Sequence, residues 1–287
     1  MAAELNEIRD ADERMTAERD EVKYLVPARH VKTLAAGLSQ CLPQHRFTGK
    51  GANLLPNPRH FVTTVYFDTP SRHQYRAACA DSEHNLKMRA KEYYDLHPSL
   101  AELATDPRQI VKYQPVLWLE LKFREGSKSG KRRIGIPKPE VPAFFQAGSI
   151  TPEMIELQRA TYGADSEAVL REIGGYCARY NEPMQADCLV NYRRIPWQDE
   201  AGMLRVTLDL GLEFYRPPAD IWQRRYALVR ESLGPAAGGS ADAVLELKSH
   251  GPLPGWLNDL LRTVETRPAR FSKFEAASMA IHGRLTT

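Results

Sequence analysis

Residues 117–124 alternate strictly between apolar and polar side chains, which is the pattern of a β-strand with two different faces. One face carries Leu117, Leu119, Leu121 and Phe123, and the other carries Trp118, Glu120, Lys122 and Arg124. The polar face is unusual because it sets a carboxylate beside cations at two-residue intervals. This pattern predicts a strand whose second face meets charge or water instead of a core.

The same alternation of charge with apolar residues recurs along the chain. It is found in Arg19–Lys23, Lys87–Arg89, Lys131–Arg133, Arg205–Asp209 and Leu245–Lys248. One such strand is explained by salt bridges on a solvated surface, each worth little to stability. The repetition favours convergence of the charged faces, and a closed antiparallel barrel with a polar interior brings them together.

The remaining pattern completes an α+β fold, an antiparallel β-barrel tunnel with flanking helices. Residues 61–67 read as a further strand rich in β-branched and aromatic side chains. Thr69 and Pro70 predict a helix start, and Gly174 and Gly175 predict a helix end. We divide the chain into an N-terminal arm (1–17) and one tunnel domain (18–287) with a helical insert at about 137–183.

Composition narrows the class of protein. The chain has 287 residues, 43% hydrophobic and 26% charged, which is globular. Its net charge of +3 argues against a nucleic-acid-binding surface. The four cysteines have no zinc-binding spacing, so we expect free thiols.

Because no apolar run approaches the roughly 20 residues of a membrane span and no signal peptide is visible, we expect a cytoplasmic protein. If the ligand of this protein crosses a membrane, a separate partner protein must carry it.

If the barrel forms, its interior collects many more cations than acids. The cations are Arg19, Lys23, Lys87, Arg89, Lys122, Arg124, Lys131, Arg133, Arg193, Arg205 and Lys248, and the acids are Glu21, Glu120, Asp209 and Glu246. Arg and Lys in excess select an anion, and Arg adds bidentate contacts to phosphate. Carboxylates fit such a site when they hold Mg²⁺ or Mn²⁺ beside phosphate oxygens. The expected ligand is a metal-bound nucleoside triphosphate or polyphosphate, and phosphoryl transfer suits the site.

Three residues outside the strands have two interpretations each. Asp68 is a turn residue after a strand or a group on the ligand side. Tyr75 is a packing residue or a chemical one. Lys273 follows the capping-box pattern of Ser272 and Glu275 at a helix start, where a cation opposes the helix dipole unless an anion lies between. No P-loop spacing is present.

An ordered set of short motifs resembles the VTC domain of polyphosphate polymerases, within the triphosphate tunnel metalloenzyme (CYTH-like) superfamily. The matching segments are Arg19-x-Glu21-x-Lys23-Tyr24, Thr64–Thr69, Lys87-x-Arg89, Leu119–Lys122, Lys131–Arg133, Asn191–Arg194, Leu204–Asp209, Val244–Lys248 and Phe271–Phe274. They run through nearly the whole chain.

The resemblance implies transfer of the γ-phosphate of ATP to a polyphosphate chain, with Mn²⁺ or Mg²⁺. It implies catalytic roles for Lys23, Arg89, Lys122, Arg193, Arg205, Lys248 and Lys273. It implies phosphate binding by Lys87, Arg89, Lys131, Arg133, Arg193, Arg205 and Lys273, and metal binding by Glu246 and Glu120.

Two positions depart from the family pattern. Lys87 replaces the first arginine of an R-x-R pair, and Arg19 stands where tunnel triphosphatases carry a glutamate. The second departure favours a polymerase-like enzyme, because hydrolases commonly need the extra acid. A tunnel triphosphatase acting on triphosphate or nucleoside triphosphates, and a non-catalytic polyphosphate or inositol-phosphate binding module, stay open as alternatives.

Overall fold

The computed structural model describes residues 20–45, 60–81, 84–94, 114–125, 128–163, 166–264 and 266–283. The strands are β1 (Asp20–Val26), β2 (His60–Asp68), β3 (His84–Tyr94), β4 (Val116–Glu125), β5 (Lys128–Pro137), β6 (Gln185–Gln198), β7 (Leu204–Tyr215), β8 (Gly238–Gly239), β9 (Ala243–Ser249) and β10 (Arg267–Pro268). The helices are α1 (Val31–Cys41), α2 (His73–Ala80), α3 (Val141–Ala147), α4 (Pro152–Tyr162), α5 (Glu167–Ala178), α6 (Gly255–Thr263) and α7 (Lys273–His282).

All of these strands belong to one antiparallel sheet, which confirms the predicted α+β class. The strand order is β10-β1-β9-β7-β6-β2-β3-β4-β5, with β8 paired to β7. Five strands separate β1 from β4, yet Lys122 Nζ on β4 lies 3.5 Å from a carboxylate oxygen of Glu21 on β1. The sheet therefore curls into a tunnel. In the described part of the chain, charged side chains rather than backbone hydrogen bonds bring its two halves together.

Apolar clusters cover the convex face of the sheet. Leu117, Leu119 and Leu121 of β4 pack with α3 and α5, as the alternation predicts. Val206 of β7 and Leu245 of β9 pack in a second cluster with α1 and α6. Burial of these clusters fixes the register of each strand, because a shift of one residue would exchange the two faces.

Helix α7 packs against the concave face, inside the curl. Phe274 and Ala277 of α7 contact a cluster that includes Tyr66 of β2 and Tyr192 of β6. The side chain of Ser272 accepts a hydrogen bond from the Glu275 N–H at the first turn, which is the predicted cap. This packing directs the N-terminus of α7 into the space enclosed by the strands.

Two predicted helix boundaries were wrong. Helix α5 does not end at Gly174 and Gly175 but continues to Ala178. Gly174 is buried where α5 approaches the end of α3, near Phe144 and the carbonyl of Gly148, so its small size serves packing.

Helix α2 begins at His73, after Arg72 in the left-handed region, and not at Pro70, although the Thr69 hydroxyl accepts the His73 N–H at 3.3 Å. The buried Asp68 carboxylate accepts the N–H groups of Thr69, Gln74 and Tyr75 at 2.8–2.9 Å. Asp68 is thus a structural turn residue, and Tyr75 is buried against Phe274.

Several predictions concern residues outside the described ones. These are the N-terminal arm, Arg19, most of the loop predicted at 97–114 and the side chain of Arg124. The division of the chain into an arm and one domain stays a prediction.

Candidate active site

A cavity between the concave face of the sheet and the N-terminus of α7 collects the charged side chains. Of the described residues that line it, nine are Lys or Arg and three are Glu, so the cavity favours an anion. The cations are Lys23, Lys87, Arg89, Lys91, Lys122, Arg194, Lys248, Arg270 and Lys273, and the acids are Glu21, Glu246 and Glu275.

Strand register explains why these side chains meet. Arg89 lies directly opposite Glu120 in the β3–β4 pair, and Lys23 lies opposite Glu246 in the β1–β9 pair. Directly opposed residues share a face of the sheet. Alternate residues of these strands, such as Lys87, Arg89 and Lys91 of β3, therefore add their charges to the same surface.

Glu120 is the centre of a cationic cluster beside the cavity. Its side chain is only 2% exposed and accepts hydrogen bonds from Arg89 Nε (3.0 Å) and Arg133 Nε (3.1 Å). Lys131 Nζ lies 3.8 Å away. Burial alone would raise the pKa of Glu120, but these cations hold it well below its usual range.

A second charged cluster joins β1, β4 and β9. Glu21 lies 3.2 Å from Lys23 and 3.5 Å from Lys122, and Glu246 lies 2.6 Å from Lys248. Burial and the charge of Glu246 act to raise the pKa of Glu21, but Lys122, Lys248 and Lys23 outweigh them and lower it to about 2. Burial lowers the pKa of Lys122 to about 7, with Arg89, Lys23 and Lys248 acting in the same direction and Glu21 opposing.

A third cluster lies at the start of α7. The fully buried Asp209 carboxylate accepts two hydrogen bonds from Arg194, at 2.6 and 2.8 Å, and lies 2.6 Å from Lys273 Nζ. Burial would raise the pKa of Asp209, but Arg194 and Lys273 lower it to about 2. Asp209 thus supplies an anion beside the cation that starts α7.

Lys87 of β3 contacts the first turn of α7. Its ammonium lies 3.1 Å from the Ser272 hydroxyl and 3.0 Å from Glu275. Glu275 therefore forms an ion pair with Lys87. It is also the residue three positions after Ser272 in the capping-box pattern. These contacts attach the N-terminus of α7 to the cationic face of the sheet.

Family comparison agrees with this geometry. The model of the VTC domain matches residues 18–282. The chain belongs to the VTC domain family. The predicted membership of the VTC domain family is thereby confirmed.

Three solved structures resemble this VTC domain at low identity. A candidate adenylate cyclase from Bacillus halodurans shares 14% identity, with 88% of this chain and 93% of that chain covered and a TM-score of 0.43. The Mediator head module of Schizosaccharomyces pombe shares 9%, with 86% and 90% covered and a TM-score of 0.33. The mimivirus capping-enzyme triphosphatase shares 8%, with 92% and 96% covered and a TM-score of 0.28.

At these identities and TM-scores the likenesses say nothing about activity. No curated protein matches the chain. Among the helices of the described residues, none combines the length and apolar character needed to cross a membrane.

The VTC domain places most predicted site residues in the cavity or beside it. Lys23, Lys87, Arg89, Lys122, Lys248, Lys273 and Glu246 line the cavity. Lys131 and Arg133 reach Glu120 at its border. Arg205 lies opposite Lys248 in the β7–β9 register but is not among the lining residues.

Arg193 is the main correction. Tyr192 and Arg194 line the cavity, so alternation along β6 turns the side chain of Arg193 to the opposite face. Arg193 lies opposite Phe61, which packs with Tyr94 in a cluster on that other face. Because Arg193 and Arg194 are adjacent, the sequence alone does not show which of them faces the cavity. In the structure it is Arg194.

The residues of this VTC domain fit a divalent cation at one place. Glu21 and Glu246 face the cavity from adjacent strands, and oxygen ligands are those that Mg²⁺ and Mn²⁺ prefer. The buried hydroxyl of Thr207, opposite Glu246, has no hydrogen-bond partner within the described residues. The described chain contains no group of three or more His, Cys, Asp or Glu residues suited to a metal, so phosphate oxygens or water would complete the coordination.

Glu120 does not fit the predicted metal role. Its carboxylate does not line the cavity, and each of its two oxygens accepts a hydrogen bond from an arginine, Arg89 on one and Arg133 on the other. The carboxylates of Glu21 and Glu246, in contrast, face the cavity and have lysines as their nearest cations. The geometry of Glu120 supports orientation of the two arginines instead.

Several lining residues were absent from the predicted site. Lys91 continues the alternation of Lys87 and Arg89 along β3, so the period-2 pattern could have identified it. Tyr66, Tyr192 and Arg270 also line the cavity. Arg270 lies in a connection before α7, where no periodic pattern marks it.

Proposed function

We propose that this VTC domain is a polyphosphate polymerase-like phosphotransferase that moves the γ-phosphate of ATP onto a polyphosphate chain. The observation that supports it is the cavity, whose described lining residues include nine cations and three glutamates. A polyanion neutralises such an excess better than a single small anion does. Family membership supports a triphosphate-tunnel function in the same direction.

The residues of the cavity act mainly by positioning the phosphates and by neutralising their negative charge. In phosphoryl transfer the attacking and leaving oxygens lie roughly in line, and charge spreads over the equatorial oxygens. Arg89 and Arg194 are oriented by Glu120 and Asp209. Their remaining N–H groups hold phosphate oxygens, while Lys23, Lys122 and Lys248 neutralise charge from the facing strands. Because the donors are fixed before the ligand arrives, little reorganisation is required.

Mg²⁺ or Mn²⁺ is the proposed cofactor. Glu246 would hold it with Glu21, beside the phosphates. When bound, the ion would supply further neutralisation of the charge that develops on the transferred phosphoryl group.

The proposal is tested by incubating the purified chain with ATP and either Mn²⁺ or Mg²⁺. Products are separated on a gel for polyphosphate, and ADP and free phosphate are measured in parallel. Long chains with matching ADP release support the polymerase. Free phosphate without chains would favour a tunnel triphosphatase, and tight polyphosphate binding without turnover would favour a binding module.

Glu246→Gln separates turnover from binding. We expect metal-dependent turnover to fall more than about a hundredfold, by analogy with loss of one transition-state contact. Metal-free binding of polyphosphate should persist or strengthen, because the substitution removes a negative charge from the cavity. Glu153→Gln, at an exposed position of α4, is the matched control. Equal turnover in wild type and Glu246→Gln would contradict the metal site.

A further inference from the structure

Lys91 differs from the other lysines of the cavity. Lys23, Lys87, Lys122, Lys248 and Lys273 each lie within 4.0 Å of a carboxylate oxygen. Within the described residues, Lys91 makes no ion pair or hydrogen bond, although its side chain lines the same cavity. Its charge therefore has no counter-ion of its own.

The position of Lys91 follows from strand register. It lies two residues beyond Arg89 on β3 and directly opposite Thr64 on β2. On an extended strand, alternate residues are spaced by roughly 6–7 Å. Lys87, Arg89 and Lys91 therefore form a row of cations along one wall, and Lys91 ends it.

The groups that surround Lys91 are mostly positive. Arg89 and Tyr93 lie on its own strand, Glu120 on β4, Tyr66 on β2, Tyr192 and Arg194 on β6, and Lys248 on β9. The wider cavity adds Glu21, Lys23, Glu246 and Lys273. Glu120 is the acid with the strongest influence on Lys91, and its oxygens already bond Arg89 and Arg133.

We propose that Lys91 binds a phosphate of the ligand directly and that this phosphate is the counter-ion of its ammonium group. This inference rests on the proposed function, because it assumes a phosphate chain in the cavity. Burial lowers the pKa of Lys91 well below its usual range, and Arg89 and Arg194 act in the same direction. A polyanion reverses that balance. Lys91 then takes up a proton from solvent as phosphate binds, in addition to the uptake by Lys122, whose pKa is about 7.

The experiment is isothermal titration calorimetry of the full chain with metal-free tripolyphosphate, near pH 8, in buffers of different ionisation enthalpy. Comparison among buffers gives the number of protons taken up on binding. Lys91→Met should weaken binding roughly ten- to hundredfold, as expected for loss of a charged contact. It should also reduce proton uptake relative to wild type by up to about one proton per site.

Two further variants sharpen the result. Lys91→Arg should still bind tripolyphosphate but without the extra proton uptake, because arginine stays charged. Lys32→Met, at an exposed position of α1, makes the same chemical change outside the cavity and should match wild type. If wild type binds tripolyphosphate and Lys91→Met binds it equally with the same proton uptake, the inference about Lys91 is overturned. If wild type does not bind, the proposed function itself fails.

Discussion

Most buried charges of this VTC domain are held in place by a specific partner of opposite sign. Asp209 shows this most clearly, since its two oxygens receive Arg194 and Lys273 in an environment with no solvent exposure. Removing one member of such a group leaves uncompensated charge in the interior, which is far worse than the loss of an exposed pair. These carboxylates therefore serve to position the cations as well as to balance them.

Asp209→Asn tests that role. We expect the free energy of unfolding to fall by about 3–5 kcal/mol, because Arg194 and Lys273 lose their common counter-ion. Urea denaturation measures the change. Asp220→Asn is the matched control, since Asp220 forms an exposed pair with Arg224, and it should cost less than about 1 kcal/mol. Equal small losses in both variants would contradict the account.

The pH dependence of stability gives an independent check on Asp209. Its pKa is about 2 in the folded chain against an ordinary value of 3.8. The contribution is therefore complete above pH 3.8 and is lost as the pH falls toward 2. In urea titrations at several pH values, wild type should lose stability over this window more steeply than Asp209→Asn. Parallel pH profiles would argue against a lowered pKa.

At the level of strands and helices, alternation was the dependable signal. It predicted the concave charged faces of β1, β3, β4, β5 and β9, because a core covers the convex face of each strand and fixes its register. Where two similar residues adjoin, as at Arg193 and Arg194, the pattern could not decide which one faces inward. The start of α2 was missed because the Asp68 carboxylate accepts N–H groups of the turn and of the first residues of α2. The end of α5 was missed because Gly174 serves packing against α3 and does not end the helix.

Replacement of a glycine by alanine should have opposite effects on stability in α5 and in β7. Gly175 lies exposed inside α5, and an added Cβ meets nothing within 4 Å. Gly175→Ala should therefore stabilise the fold by up to about 1 kcal/mol.

Gly211 lies at a bulge where β7 places two residues opposite Tyr192, with φ at +57°. Gly211→Ala should destabilise by about 1–2 kcal/mol, because the left-handed region is unfavourable for alanine. Thermal unfolding of both variants measures the contrast. If Gly175→Ala instead destabilises the fold, helix propensity does not determine stability at this position of α5.

For the molecule as a whole, the distribution of charge matters more than its sum. The chain carries a net charge of only +3, yet the cavity gathers nine cations against three glutamates among its described lining residues. The sequence predicted this gathering because β1, β3, β4 and β9 each contribute at least one inward cation. It could not predict which acids pair with which cations, since Lys122 and Glu21 meet only after the sheet curls.

This concentration of like charge predicts an unusual salt response. Lys122 and its neighbours repel one another in the empty tunnel, and about 0.1 M salt shortens the range of such repulsion to roughly 10 Å. The melting temperature of the free protein should therefore rise as NaCl increases. Bound tripolyphosphate neutralises this repulsion. Because salt also screens the attraction between the ligand and the cations, the increase in melting temperature caused by the ligand should become smaller as NaCl increases.

Differential scanning fluorimetry with and without tripolyphosphate separates these effects. At pH 6, below the pKa of about 7 that Lys122 has in the tunnel, Lys122→Met should flatten the salt response of the free protein, because it removes one repelling charge from the cavity. Lys32→Met should retain that response, because Lys32 lies exposed on α1. Surface ion pairs predict the reverse trend, since salt weakens them. A free protein that loses stability with NaCl, to the same extent in both variants, would show that repulsion in the tunnel is too weak to govern the fold.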